Sequence, residues 1–393
     1  MGLFDKCYSF TRAKEIMAMG VYPYFIPLSD TEGTEVTIDG RKLVMIGSNN
    51  YLGLTTHPKV RQAAIEAVRK YGTSCTGSRF LNGTLYLHKQ LEEELADFVG
   101  KEAALVFSTG YQTNLGTISA LVGKGDLVIT DKEDHASIID GCRLSYGKML
   151  RFRHNDMADL ERVLKRCDPD QGKLVVVDGI FSMGGDIAPL PDIVPLCKKY
   201  DAQLMVDDAH SVGVLGENGR GTAAHFGMTD DVDLIMGTFS KSFASLGGFI
   251  AGDEPVLHYI QHHARSLIFS ASMPAACVAA CLAALEVMRT EPERPKRLLA
   301  IADKMRRGYQ EMGYSTGHSE TPIIPIMIGG DTATFLMWRA LFDAGVYTNP
   351  VIPPAVPPNK SLLRTSYIAT HTDEQMGRVL MLFEQVGKGV GVI

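Results

Sequence analysis

The sequence predicts an α/β fold: a mostly parallel sheet covered by helices, followed by a smaller α+β domain. Three observations lead there. From about residue 46 to 285, short apolar runs alternate with helical patterns, the rhythm of strand–helix–strand units. Leu105-Val106-Phe107-Ser108, Leu127-Val128-Ile129-Thr130-Asp131, Gln203-Leu204-Met205-Val206 and residues 232–236 have the length and character of buried strands. Polar, chemistry-bearing residues follow each run at once, which fits ligands binding at the carboxyl edge of such a sheet.

The elements fall in order along the chain. Residues 1–45 are expected to form a helical arm and a small hairpin, since Glu35-Val36-Thr37-Ile38 and Lys42-Leu43-Val44-Met45 flank the turn signal Asp39-Gly40. Leu3 to Met17 reads as one amphipathic helix with Lys6, Arg12 and Lys14 among its polar residues. Contact with a partner subunit is its favoured use, and peripheral contact with the inner membrane surface the alternative. Residues 46–285 form the large domain. Residues 286–393 form the small one, with a long helical stretch, a strand at 323–328, another helix and a strand near Leu363. Prolines between residues 350 and 358 read as a stiff connection.

Lys241 carries most of the functional signal. It follows a strand and sits among small hydroxylated residues, in Gly237-Thr238-Phe239-Ser240-Lys241-Ser242. Such a lysine can form an imine with an aldehyde, while Thr238 and Ser240 can hold a nearby phosphate. Pyridoxal 5'-phosphate (PLP) needs both. Upstream, Asp207-Asp208-Ala209-His210 ends another strand. A carboxylate there can keep a pyridine nitrogen protonated, a role we give to Asp207, with Asp208 read as a supporting or turn residue. His210 can reach the phenolic oxygen of the cofactor. No compact second cluster of His, Cys or carboxylate ligands completes a metal site around it.

Two further strand ends have the right character. Thr109-Gly110-Tyr111-Gln112-Thr113-Asn114 opens a helix, whose free amides favour a phosphate, and Gly110 permits close backbone approach. Asp134-His135-Ala136-Ser137 places an imidazole where it can stack on a pyridine ring and donate to a substrate carboxylate.

Together these motifs resemble the α-oxoamine synthases, fold-type I PLP enzymes that condense an amino acid with an acyl thioester and lose carbon dioxide. The resemblance rests on Ser48-Asn49-Asn50-Tyr51-Leu52-Gly53-Leu54, Thr76-Gly77-Ser78-Arg79, Asp134-His135-Ala136-Ser137, Asp207-Asp208-Ala209-His210 and Gly237-Thr238-Phe239-Ser240-Lys241, five motifs in order over nearly the whole chain. The stretches from Gly77 to Leu85, Asp178 to Met183 and Thr238 to Phe249 are most similar to the bacterial branch that acylates L-serine with a long-chain acyl-CoA such as palmitoyl-CoA. Sister synthases using glycine or alanine with a shorter thioester remain the alternative, followed by a non-catalytic subunit, against which Lys241 speaks.

The resemblance implies a role for each site residue. Lys241 would carry the cofactor and act as catalytic base, with Asp207 at the pyridine nitrogen. His135 would stack on the ring and contact substrate, while His210 and Ser182 lie near the phenolic oxygen. Gly110, Tyr111 and Thr238 would cradle the phosphate and the cofactor. Arg364 would hold the substrate carboxylate with help from Asn49, as suits a planar guanidinium fork. It also implies a homodimer with its active site at the subunit interface, each subunit lending a phosphate-binding hydroxyl, for which Ser270 is the candidate in Phe269-Ser270-Ala271-Ser272.

Composition agrees and excludes alternatives. The chain has 393 residues, more than one compact core usually supports. A net charge of −6 argues against nucleic acid as a main partner. Seven cysteines without a Cys-x-x-Cys pair, and no secretory leader, predict a reducing cytoplasm rather than a disulfide framework. The longest apolar stretch, near residues 275–288, contains Glu286 and falls short of the ~20 residues that span a bilayer.

Overall fold

A computed structural model describes residues 2–393. It divides into two compact units: Asn49–Ala300 with Ile368–Thr370, and the remainder, made of the residues up to Ser48 with Ile301–Tyr367 and His371–Ile393. The boundaries expected near residues 45 and 285 therefore fall at 48/49 and 300/301, and the N-terminal segment belongs to the same unit as the C-terminal one.

In the large unit seven strands form one sheet, in the order Ala103–Phe107, Gly248–Gly252, Leu234–Thr238, Gln203–Asp207, Lys173–Asp178, Leu127–Asp131, Lys148–Phe152. Only Gly248–Gly252 runs against its neighbours, so the other six point the same way. The α/β expectation holds. Every residue of Leu127–Asp131 and Lys173–Asp178 is buried, which is why these strands read as continuous apolar runs rather than alternating ones. On one face Val128, Val176, Met205, Met236 and Ile250 pack against Ile118 and Ile138 and against Leu257 and Ile260 of the helix Glu254–His263. The strands then end on one edge at Phe107, Asp131, Phe152, Asp178, Asp207 and Thr238.

The other unit contains two smaller sheets. The hairpin forms as expected, with Glu35–Ile38 paired to Arg41–Met45 and left-handed φ values of 49° at Asp39 and 76° at Gly40. The N-terminal segment differs from expectation: it is two short helices, Asp5–Tyr8 and Arg12–Ala18, in which no residue is buried. The second helix begins afresh after Thr11, whose hydroxyl bonds the Glu15 side chain at 2.6 Å without capping a backbone amide. Ile323–Gly329, Ser361–Ser366 and Asn349–Val351 form an antiparallel sheet with Ser361–Ser366 in the centre. The proline-rich segment thus begins as a strand, and Pro350 is tolerated because that strand lies at an edge. Among the described residues, no helix is long and apolar enough to cross a membrane.

Candidate active site

The co-directional strands deliver their following turns to a single cavity of about 260 Å³, close to the lower bound of small-molecule sites. Lys241, Asp207, His135, His210, Ser182, Thr238, Ser240, Gly110 and Tyr111 all line it. Nine residues named from the sequence therefore meet in one place.

Asp207 ends its strand 4% exposed, with both carboxylate oxygens engaged. Oδ2 accepts from Asn114 Nδ2 at 2.7 Å and Oδ1 from the Ala209 amide at 3.0 Å. These bonds fix its direction and satisfy a charge that burial alone would penalise. Its neighbour Asp208 points elsewhere. It is fully buried, accepts the Thr222 amide at 2.9 Å, and burial pushes its carboxyl up to about 6.

Asn114 also sets His135. Its Nδ2 donates to Ser137 Oγ at 2.8 Å, so the Ser137 hydroxyl proton is left to bond His135 Nδ1, 2.8 Å away. The Ser137 amide points at the same nitrogen, at 3.3 Å. Nδ1 is therefore an acceptor and the ring proton sits on Nε2. Burial holds this imidazole below its ordinary value, opposed by Asp207 and reinforced by Lys241. At neutral pH His135 is a neutral N–H donor.

The helix Gly110–Leu121 starts at the cavity wall, where Thr109 caps it by accepting the Gln112 amide at 3.1 Å. A Cβ at Gly110 would lie 2.6 Å from Thr238 Oγ1, so only glycine lets the helix start approach that strand end. Thr238 and Ser240 hydroxyls sit 3.1 Å apart beside it. Tyr111 also lines the cavity, but its hydroxyl bonds Asp140, outside the lining. Behind His210, Tyr51 Oη lies 2.6 Å from its Nδ1 and donates to Asn49 Oδ1 at 3.3 Å, joining two predicted residues through one that lies in a sequence motif but carried no expected role.

Three predicted residues do not line the cavity: Asn49, joined to His210 through Tyr51, and Ser270 and Arg364. Ser270 accepts from Gln112 Nε2 at 2.9 Å and does not line the cavity. Arg364 belongs to the other unit, where it sits in Ser361–Ser366, 6% exposed, opposite Pro325 and Asn349. Conversely, Asp178 lines the cavity unpredicted. Burial, with Asp207 and Asp134 nearby, raises its carboxyl well above the carboxylate range. Its place at a strand end was the available signal, as were the positions of Asn114 and Ser137 inside motifs already singled out.

Comparison with known proteins places the chain in context. A family model described as aminotransferase class I and II matches residues 41–382. A serine palmitoyltransferase of Sphingobacterium spiritivorum is 52% identical over 387 residues, covering 98% of this chain and 97% of that protein. The solved Sphingomonas wittichii serine palmitoyltransferase superposes with a TM-score of 0.97 at 40% identity, covering 100% of both chains. An 8-amino-7-oxononanoate synthase of Thermoanaerobacter pseudethanolicus is more distant, at 42% identity over 97% of both chains.

Proposed function

The chain belongs to the aminotransferase class I and II family, and from that premise we propose that it condenses L-serine with palmitoyl-CoA. The products are 3-ketosphinganine, coenzyme A and carbon dioxide, the entry reaction of sphingolipid synthesis. The fold is that of the fold-type I PLP enzymes, and the enzyme is a PLP-dependent acyltransferase. The observation that carries the substrate assignment is the 52% identity over nearly full length to a serine palmitoyltransferase, against 42% to an 8-amino-7-oxononanoate synthase.

The groups lining the cavity suit the cofactor. The glycine-lined helix start beside Thr238 and Ser240 suits a phosphate, a primary amine suits its aldehyde, and a buried, hydrogen-bonded carboxylate suits a pyridinium nitrogen. When bound, PLP supplies an electron sink for the pair left as the serine Cα–H bond breaks.

The chain does the rest. Lys241 would hold the cofactor's aldehyde through its amine, and the same amine, once free, would take the Cα proton of serine. Asp207, aimed by Asn114, keeps the pyridine nitrogen protonated. His210 and Ser182 serve the phenolic oxygen. His135 would stack on the ring and present its Nε2–H to the substrate, first at the carboxylate and then at the thioester oxygen, where negative charge develops as the serine carbon attacks and from which it returns to expel the thiolate. Arg364 grips the serine carboxylate with Asn49, which Tyr51 holds in place. Tyr111 contributes its backbone at the helix start, and Ser270 is the hydroxyl lent to the phosphate of a second copy. The active enzyme is then a homodimer, with the exposed Leu3, Phe4, Tyr8 and Phe10 of the N-terminal arm packed on the partner.

A panel of amino acids against acyl-CoA and acyl-carrier donors, with products read by mass, tests the assignment. Serine with palmitoyl-CoA should give the highest efficiency. If glycine with a short thioester does so instead, the enzyme is a sister synthase.

A further inference from the structure

The strand Lys148–Phe152 also ends on the carboxyl edge, and two residues later comes His154. Its ring lies between two carboxylates: Nδ1 is 3.0 Å from Asp131 Oδ1 and Nε2 is 2.8 Å from Asp186 Oδ2. A neutral imidazole would turn its lone pair toward one of these oxygens, so the arrangement requires a proton on each nitrogen. Burial disfavours the charged ring, yet the hydrogen bonds and charges of Asp131 and Asp186 push it up to about 10. The Phe181 ring meets it edge-on at 4.5 Å.

Each carboxylate belongs to a turn that ends in the cavity. Asp131 accepts the Glu133 amide at 2.8 Å and the Asn155 amide at 2.9 Å, and its own N–H bonds Asp134 Oδ2 at 2.8 Å. Asp134 Oδ1 accepts the Asp178 amide at 2.9 Å, and His135 comes next in the chain. Asp186 also accepts Asn155 Nδ2 at 2.8 Å, and its carbonyl closes on the Phe181 amide at 3.0 Å, with Ser182 inside the loop so formed. His154 does not line the cavity.

We propose that His154 is a positioning residue that ties the turn carrying His135 to the turn carrying Ser182, holding both on the cofactor cavity. The inference rests on the cavity being the PLP site. Without the clamp, the carboxylates of Asp131 and Asp186 repel each other and the two turns separate, taking their cavity side chains with them.

Cofactor affinity, read by absorbance titration, separates this role from simple support of the fold. His154→Gln should raise the dissociation constant for PLP at least tenfold, shift the long-wavelength band of the bound cofactor and raise the KM for serine more than it lowers kcat. Asp186→Asn should do the same to a smaller extent. The double variant should lose no more than His154→Gln alone, because the pair acts as a unit. Loss of melting temperature with affinity within twofold of the parent and an unchanged band overturns the proposal. If His154→Gln does not fold, an unchanged cofactor affinity in Asp186→Asn overturns it instead. In nitrogen-15 spectra of the histidine-labelled parent at pH 8, both His154 nitrogens should be protonated, and one bare nitrogen removes the clamp. Cofactor binding involves neither serine nor thioester, so a wrong substrate assignment leaves these readouts standing, whereas a parent that binds no PLP defeats the proposed function itself.

Discussion

The seven-stranded sheet of the large unit and the three-stranded sheet around Arg364 present functional residues in different ways. In the first, Asp131, Asp178, Asp207 and Thr238 end co-directional strands, so the turns that follow open onto one edge however far apart they lie in sequence. In the second, neighbouring strands run in opposite directions, and Arg364 lies within a strand whose six residues are all buried. Parallel strands gather polar residues by position alone. In an antiparallel sheet position says little, and the residue must be identified some other way. Substitutions on the two sheets should therefore fail differently: chemistry is lost on the first, serine binding on the second.

The sharpest break is Lys241→Ala. Borohydride reduction of the parent, followed by peptide mapping, should label Lys241 and no other lysine, and the variant should carry no covalent label. Label on a different lysine would remove the centre of the site.

Next comes the pair at the end of Gln203–Asp207. Asp207→Asn should leave the cofactor bound and slow deuterium exchange at serine Cα by roughly 10²–10³-fold, the scale of losing one preorganised electrostatic partner. An amide beside Asn114 cannot keep a pyridinium charged. Asp208→Asn should instead spare exchange and lower the melting temperature, because Asp208 holds the Thr222 amide. Reversed results would exchange the roles of two adjacent carboxylates.

The same contrast explains what was legible in the sequence. Strand-end residues of the large unit were readable because an apolar run followed by a polar motif fixes both the element and its edge. Asn114, Ser137 and Tyr51 were not, since each works by a hydrogen bond to a residue distant in sequence, to Asp207, Asn114 and His210 respectively. Asp178 carried the same strand-end signal but was passed over for Ser182, four residues on in the same segment. The N-terminal arm was misread as one helix, since apolar spacing continues across Ser9, Phe10 and Thr11 while the backbone restarts at Thr11. Arg364 was reached only through family resemblance, as nothing in Leu362-Leu363-Arg364-Thr365 separates a substrate ligand from a surface ion pair.

Arg364→Ala accordingly tests the weaker half of the comparison. Losing a charge-assisted contact of about 1.5–3 kcal/mol should weaken serine binding by roughly ten- to 150-fold. Acyl-thioester binding should change far less. Arg364→Lys should recover only part of the loss, because an ammonium lacks the planar fork. Spectral titration with serine measures all three proteins, and a dissociation constant within twofold of the parent for Arg364→Ala would remove the residue from the site.

The smallest effect concerns acyl length, where neither sheet supplies a polar measuring device. Recognition of the serine hydroxyl can be steep, because a site built to bond it leaves those groups unpaired when alanine binds. Chain length is read by apolar contact, and each methylene contributes at most about 0.8 kcal/mol, or roughly fourfold. Efficiency should therefore fall gently on either side of sixteen carbons, while alanine falls far below serine at every length. Competition between mixed thioesters and mixed amino acids in one vessel shows both slopes at once. A sharp cut-off at one chain length would mean that a rigid wall, rather than graded apolar contact, ends the acyl path.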